Sequence, residues 1–118
     1  MKDSRKHRGA VGESVAARFL QDQGLVILQR NYRFERGEID IVAQEGDELV
    51  FVEVKSRRSK SFGEPEEAVT QKKQEQIRKV AEGYLYEHAA ENSPCRFDVV
   101  AIIFDNGEAQ ISHLKNAF

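Results

Sequence analysis

Cysteine is nearly absent from this sequence. The 118 residues include a single one, Cys95, which excludes an internal disulfide and a zinc site built from several thiolates. Because Cys95 directly precedes a predicted strand, we expect a buried thiol with a structural role. Long apolar runs are lacking too, and no segment is long enough to span a bilayer as a helix.

An excess of positive charge is also missing. The formal net charge is −2, so any binding of nucleic acid must use a local basic patch. Residues 1–8 are basic without the hydrophobic stretch of a signal peptide, and we expect a cytoplasmic protein. These eight residues are interpreted as a flexible arm, either simply solvated or lying near nucleic acid. Residues 9–118 have the length and composition of one soluble globular domain.

Apolar periodicity predicts two helices and five strands in the order α-β-β-β-α-β-β. The helices are predicted at 10–23 and 70–91, with Thr70 as the N-cap of the second. The strands are predicted at 25–33, in a hairpin over 37–55, at 96–104 and at 109–115. The chain is therefore expected to be an α/β domain.

The hairpin places four charged side chains on one face. If Gly46 and Asp47 are the central turn residues, the numbers of paired residues sum to 93. Asp40 then lies opposite Glu53, and Glu38 lies opposite Lys55 on the same face. Directly opposed carboxylates repel each other, so we expect a divalent cation, the lysine, or both, to neutralise them.

Two carboxylates and a lysine at one end of a sheet suit hydrolysis of phosphodiesters. Oxygen ligands of this kind select Mg²⁺ or Mn²⁺ rather than zinc. Lys55 would orient or deprotonate the attacking water, or stabilise the negative charge that develops on the phosphate. The alternative is a charged sheet face held by ion pairs, and the residues alone leave both interpretations open.

Other charged residues fit either a functional or a purely solvated position. Arg57, Arg58 and Lys60 form a dense basic cluster after the hairpin, which indicates either phosphate contacts or simple solubility. Lys73 extends the apolar stripe of the second helix, which is unusual unless that end of the helix overhangs a polar site. The helical periodicity of the first helix favours a solvated Glu13.

The order of the motifs resembles a known family. G-E-I-D-I-V followed by L-V-F-V-E-V-K is similar to the PD-(D/E)XK superfamily, although Ile39 stands where the superfamily name has proline. Four further motifs resemble the YraN-like family of small bacterial proteins, which is related to archaeal Holliday-junction resolvases. They are G-x-x-G-E-x-x-A from Gly9, Phe62-Gly63, A-V-T-x-x-K at 68–73 and R-F-D-V-V at 96–100.

The resemblance implies a restriction-endonuclease-like α/β/α core, with a mixed five-stranded sheet flanked by helices. It implies a Mg²⁺- or Mn²⁺-dependent nuclease acting on DNA, including branched DNA. A homodimer is also implied. The alternatives are a nucleic-acid-binding module without turnover and a protein-binding adaptor on the same fold.

The resemblance also implies a role for individual residues. Asp40 and Glu53 match the metal-binding acidic pair, Lys55 matches the catalytic lysine, and Glu13 matches a helix glutamate that reaches the same site. Lys73 matches a basic position that contacts phosphate. Weaker candidates are Gln71 and Glu38, together with Asp98, which would equally pair with Arg96 or cap its strand.

Overall fold

A computed structural model describes residues 4–58 and 69–118, the side chains of residues 4–8 excepted. The predicted order α-β-β-β-α-β-β is confirmed. No helix within these residues is both long and apolar enough to cross a membrane. The elements are α1 (Ser4–Asp22), β1 (Val26–Phe34), β2 (Gly37–Glu45), β3 (Glu48–Arg57), α2 (Gln71–Glu87), β4 (Cys95–Asp105) and β5 (Glu108–Leu114).

The five strands form one mixed sheet whose spatial order equals the chain order. β3 and β4 are parallel, with Leu49 beside Cys95, and the other neighbours are antiparallel. A parallel pair needs a crossover connection, and α2 lies in the segment that joins these two strands. The architecture is that of the restriction-endonuclease-like fold, as predicted.

Two hydrophobic cores lie on opposite faces of the sheet. On one face Ala16 and Leu20 of α1 pack with Val50 and Val52. On the other face Ile77, Val80 and Tyr84 of α2 pack with Leu49 and Phe51. Successive residues of β3 therefore alternate between the two cores, as strand geometry requires. The result is a three-layer α/β/α domain.

The predicted hairpin register is confirmed over the half nearest the turn. Glu45 pairs with Glu48 across Gly46 and Asp47, and pairing continues to Ile41 and Val52, whose numbers sum to 93. The backbone pairing stops there, one position before Asp40 and Glu53. Beyond this point the two strands are joined by a hydrogen bond from a backbone N–H to the side chain of Asp40.

Several predicted details were wrong. α1 begins at Ser4, six residues before the predicted start, and α2 ends at Glu87 rather than at 91 because Ala89 has a positive φ of 52°. Cys95 is exposed, not buried, because it is the first residue of β4 and lies outside the core. Thr70 is the N-cap of α2 as predicted, and its hydroxyl accepts a 3.2 Å hydrogen bond from Lys73 N.

Asp98 is fully buried and ionically paired, which decides between its two predicted roles. Its carboxylate accepts hydrogen bonds from Arg96, from His113 Nε2 at 2.7 Å and from Asn116 N at 2.9 Å. Arg96 Nη1 also lies 2.8 Å from one carboxylate oxygen of each of two facing residues, Glu45 and Glu48. This network fixes the turn end of β2 and β3 and is a structural feature of the fold.

Candidate active site

A polar cleft of about 320 Å³ lies beyond the paired half of the hairpin. Its walls include all four predicted catalytic residues, Glu13 from α1, Asp40 from β2, and Glu53 and Lys55 from β3. Side chains that are 40 positions apart in the chain therefore line one small space. The cleft also has a basic wall, to which Arg57 contributes.

A glycine brings α1 close enough to β3 for Glu13 to line the cleft. A Cβ atom added to Gly12 would lie 1.9 Å from Ser56 Oγ and 3.1 Å from Ser56 Cβ. The first distance is shorter than real Cβ contacts allow and the second is tight, so a larger residue here would displace the helix or Ser56. The neighbouring Glu13 is thereby partly buried, in contrast with the solvated position that periodicity favoured.

The regular alternation of β2 side chains between the two faces of the sheet breaks at Asp40. Ile41 belongs to the core under α1, whereas Ile39 belongs to the core under α2, so two residues that would share a face of a regular strand lie on opposite faces. Asp40 Oδ2 accepts a 2.8 Å hydrogen bond from Val54 N. The side chain thus holds β2 to β3 where the backbone pairs end, and its carboxylate lies at the cleft.

Three carboxylates approach closely enough to share a cation. One oxygen of each of Glu13, Glu38 and Asp40 lies within 4.8 Å of the others. The metal ligands implied by the resemblance were Glu13, Asp40 and Glu53, so the two sets share Glu13 and Asp40. Glu53, only 6% exposed, lies in the same cleft with its Oε1 3.5 Å from Lys55 Nζ.

Burial and crowding raise the pKa of these carboxyl groups. Burial, together with the charge of Asp40, raises the pKa of Glu53 to about 7, although Lys73 and Lys55 oppose the rise. Burial and the charges of Asp40 and Glu38 raise the pKa of Glu13 to about 6. The pKa of Asp40 is raised mainly by burial, against the hydrogen bond from Val54. The cleft therefore holds its negative charges at a cost in free energy.

The donor set fits a hard divalent cation. Oxygen ligands lie about 2.1 Å from Mg²⁺, so two on opposite sides of the ion are about 4.2 Å apart. The carboxylate oxygens of Glu13, Glu38 and Asp40 already lie within 4.8 Å of one another, and small side-chain rotations would close the difference. A cation would also relieve the repulsion that raises their pKa values.

Two residues of β1 support Glu13 and were not predicted. Asn31 Nδ2 donates a 2.7 Å hydrogen bond to Glu13 Oε1, and Arg30 Nη2 lies 3.9 Å from the same oxygen. Asn31 adopts a positive φ of 54°, a conformation that asparagine tolerates better than most residues. Apart from the identity of Asn31, which tolerates a positive φ, nothing in the sequence of β1 distinguishes it from an ordinary strand.

Of the predicted basic and polar residues, some lie at or near the cleft and others are exposed away from its lining. Lys73 is half-buried and close enough to lower the pKa of both Asp40 and Glu53 against the effect of their burial. Arg57 lines the cleft, whereas Arg58 is exposed at the end of β3, and Gln71 is exposed in the first turn of α2. Lys60 lies outside the described residues, as do Phe62 and Gly63.

Comparison with known proteins identifies close relatives. A family model described as "Uncharacterised protein family UPF0102" matches residues 12–102. A UPF0102 protein of Moorella thermoacetica is 46% identical over 120 residues, which cover all of both chains. A UPF0102 protein of Rhodococcus opacus is 50% identical over 111 residues, which cover 93% of this chain and 94% of the relative.

Proposed function

Because the chain belongs to UPF0102, the YraN-like family of uncharacterised proteins, its function must be argued from the site, and we propose a metal-dependent nuclease that hydrolyses phosphodiester bonds in DNA. One observation carries the proposal. Glu13, Asp40, Glu53 and Lys55 come from three different elements and line a single cleft. A charged sheet face held only by ion pairs would not need a glutamate from α1, brought there by the close approach at Gly12.

The carboxylates provide the ligands for a cation. Glu13 and Asp40, with Glu38 or Glu53 as the third oxygen donor, would hold Mg²⁺ or Mn²⁺. Such an ion supplies charge neutralisation at a phosphate and favours the ionisation of an attacking water. Asn31 holds Glu13 in position through its 2.7 Å hydrogen bond, and Val54 N does the same for Asp40.

Lys55 supplies positive charge beside the reacting phosphate. Its side chain is 21% exposed, and its Nζ atom lies 3.5 Å from Glu53 Oε1. Held there, the ammonium group can donate hydrogen bonds to a phosphate oxygen and stabilise the charge that develops during attack. Arg57 on the cleft wall and the half-buried Lys73 would hold the neighbouring phosphates of the strand.

Cleavage assays test this proposal. Linear duplex, single-stranded and four-way-junction DNA are incubated with the protein in EDTA, in Mg²⁺ and in Mn²⁺. We expect cleavage that requires the cation and falls at least 100-fold in Glu53→Gln and in Lys55→Met. Glu108→Gln is the matched control, because Glu108 is exposed on β5 and does not line the cleft.

The outcome also separates the alternative functions. A nucleic-acid-binding module would bind DNA with a steep dependence on salt but would cleave none of the substrates. Equal residual cleavage by wild type and Glu53→Gln would identify contamination and overturn the nuclease. A homodimer remains a prediction, and sedimentation with and without DNA would check it.

A further inference from the structure

A second and larger depression, here called the lateral groove, lies on the α2 side of the sheet, at the end of β2 that carries the carboxylate cluster. Its volume is about 870 Å³, and its two walls are the β1–β2 turn, residues 34–37, and one side of α2, residues 72–80. Two residues of its lining are followed directly in the chain by residues of the candidate active site. Gly37 directly precedes Glu38 of the carboxylate cluster, and Lys72 directly precedes Lys73. The groove and the carboxylate cluster therefore lie at the same end of β2, within reach of one nucleic-acid strand.

An aromatic ring forms part of the groove wall. A Cβ atom on Gly83 would lie 2.4–2.6 Å from three atoms of the Phe34 ring, so the ring packs directly on the helix backbone. Phe34 is half-buried and lines the groove, which exposes part of the ring to a ligand. Nucleic-acid bases of any sequence stack favourably on aromatic side chains, because every base has a π-face.

The turn is fixed against α2, so the groove is a formed feature of the fold. Gln76 Nε2 donates a 3.5 Å hydrogen bond to the backbone oxygen of Arg36. A Cβ atom on Gly37 would lie 2.3 Å from Val80 Cγ2, which shows how closely the turn approaches the helix. Phe34 is therefore held between the turn and the helix, with little freedom to lose when a ligand binds.

The charges around the groove favour a base over a phosphate. Its lining includes three cations, Arg36, Lys72 and Lys79, and also two carboxylates, Glu35 and Glu75. Lys79 Nζ lies 3.9 Å from Glu35 Oε2, so part of the positive charge is already neutralised and the lining is less attractive to a phosphate than three free cations would be. The carboxylates can also accept hydrogen bonds from the amino groups of a base. The cations can donate to its ring nitrogens and carbonyl oxygens. A neutral, flat molecule with both donors and acceptors complements this lining.

We propose that the lateral groove binds one unpaired nucleotide base, stacked on Phe34, from the DNA strand whose neighbouring phosphate lies at the carboxylate cleft. The inference rests on the proposed function and specifies its substrate class. A base in a continuous duplex is stacked on both sides and is not available to Phe34. The substrate is therefore DNA with an unpaired nucleotide next to the cleaved bond, as at a bulge, a flap or a branch point.

Fluorescence of 2-aminopurine tests the inference without any cleavage. The probe is placed as the unpaired base of a bulged duplex, and titrations are made with the full chain in EDTA. We expect its fluorescence to fall on binding, because stacking quenches it. Phe34→Leu should remove this quenching and weaken binding of the bulged duplex at least five-fold, while a fully paired duplex binds as before.

Two variants serve as controls for the stacking. Tyr86→Leu removes an aromatic side chain of α2 that is 77% exposed and does not line the groove, and it should behave as wild type. Lys72→Ala, at an exposed position on the groove wall, should weaken binding of the bulged duplex even if Phe34→Leu fails to fold. Equal loss for bulged and paired DNA, or unchanged quenching in Phe34→Leu, would overturn the inference.

The failure of one proposal is distinguishable from the failure of the other. Quenching that depends on Phe34, with no cleavage by any variant, would support the groove and refute the nuclease. Cleavage that depends on Glu53, with equal rates on paired and bulged duplexes and no quenching, would support the nuclease and refute the groove.

Discussion

The carboxylate of Asp40 accepts a 2.8 Å hydrogen bond from the backbone N–H of Val54, just beyond the last backbone pair of the hairpin, Ile41 with Val52. This bond joins the two strands that carry the opposed carboxylates. It also satisfies a backbone donor that would otherwise need water. Asp40 therefore has a structural contact in addition to its place in the cleft, and replacing it would confound stability with chemistry. Glu53 gives the cleaner test of the site.

Replacing Glu53 with glutamine should stabilise the cation-free protein at high pH. Its folded-state pKa of about 7 exceeds the ordinary value of 4.5, so its favourable contribution is complete below pH 4.5 and is lost as pH rises through 7. We expect Glu53→Gln to exceed wild type by roughly 1–3 kcal/mol at pH 8 and to match it near pH 4.5. Urea unfolding in EDTA at both pH values measures the difference, with Glu108→Gln as the control. A wild type as stable as the variant at pH 8 would contradict the prediction.

Removing the Asn31 side chain should weaken cation binding through Glu13. Asn31→Gly removes the 2.7 Å hydrogen bond and tolerates the positive φ, whereas Asn31→Ala also adds backbone strain. We expect Mn²⁺ affinity to fall about 10-fold in both variants, by calorimetric titration, and the alanine variant alone to lose stability. Asn106→Ala is the matched control, since Asn106 has φ 51° in the β4–β5 turn. Unchanged affinity in Asn31→Gly would refute a positioning role.

A methyl group on Gly12 should act on the cleft through Ser56. Gly12→Ala forces α1 away from β3 or rotates Ser56, because the added Cβ would lie 1.9 Å from its Oγ. We expect weaker Mn²⁺ binding and a loss of stability of about 1–3 kcal/mol, typical of overpacking. The double variant Gly12→Ala with Ser56→Gly removes most of the clash and should recover part of both. Gly9→Ala is the control for stability alone, since its Cβ meets no atom within 4 Å but Gly9 also lines the cleft. No rescue by Ser56→Gly would refute this contact as the cause.

The Asp98 network should make stability fall in acid. Burial alone would raise the pKa of Asp98, but hydrogen bonds from His113, Arg96 and Asn116 N lower it below the ordinary 3.8. The carboxylate therefore contributes stability above pH 3.8 that is lost as pH falls through its lower folded value. We expect Asp98→Asn to lose roughly 3–5 kcal/mol at pH 7, and the gap to wild type to narrow below pH 4. Unfolding curves check this against Asp105→Asn, an exposed control, and a gap that does not depend on pH would contradict it.

The order of elements and half of the hairpin could be predicted from the sequence. The turn at Gly46 and Asp47, with regular alternation on each side, is a local signal, and it gave the correct pairing from Glu45 to Ile41. The break at Asp40 could not be predicted, because a side-chain hydrogen bond to Val54 replaces the expected geometry. Local patterns describe regular strands and do not indicate where one stops being regular.

The position of Glu13 shows a second limit. Helical periodicity identifies which residues face the core, and by that measure Glu13 was expected to be solvated. What brings it to the cleft is the close approach of α1 and β3 at Gly12, a contact between residues 44 positions apart. Asn31 was missed for the same reason, since its hydrogen bond is to Glu13. Only the family resemblance, which includes the Gly12-Glu13 pair, indicated the role of Glu13.

The crossover between the parallel strands β3 and β4 separates two parts of the chain that contribute different features. The acidic residues that meet at the cleft, Glu13, Glu38, Asp40 and Glu53, all precede the crossover, whereas the crossover helix α2 carries Lys73 and the strand after it, β4, carries the buried Asp98. We expect mutations in the two parts to have different phenotypes. Conditional alleles that fail only at high temperature should concentrate in β4, while alleles that fail at every temperature should concentrate at the cleft.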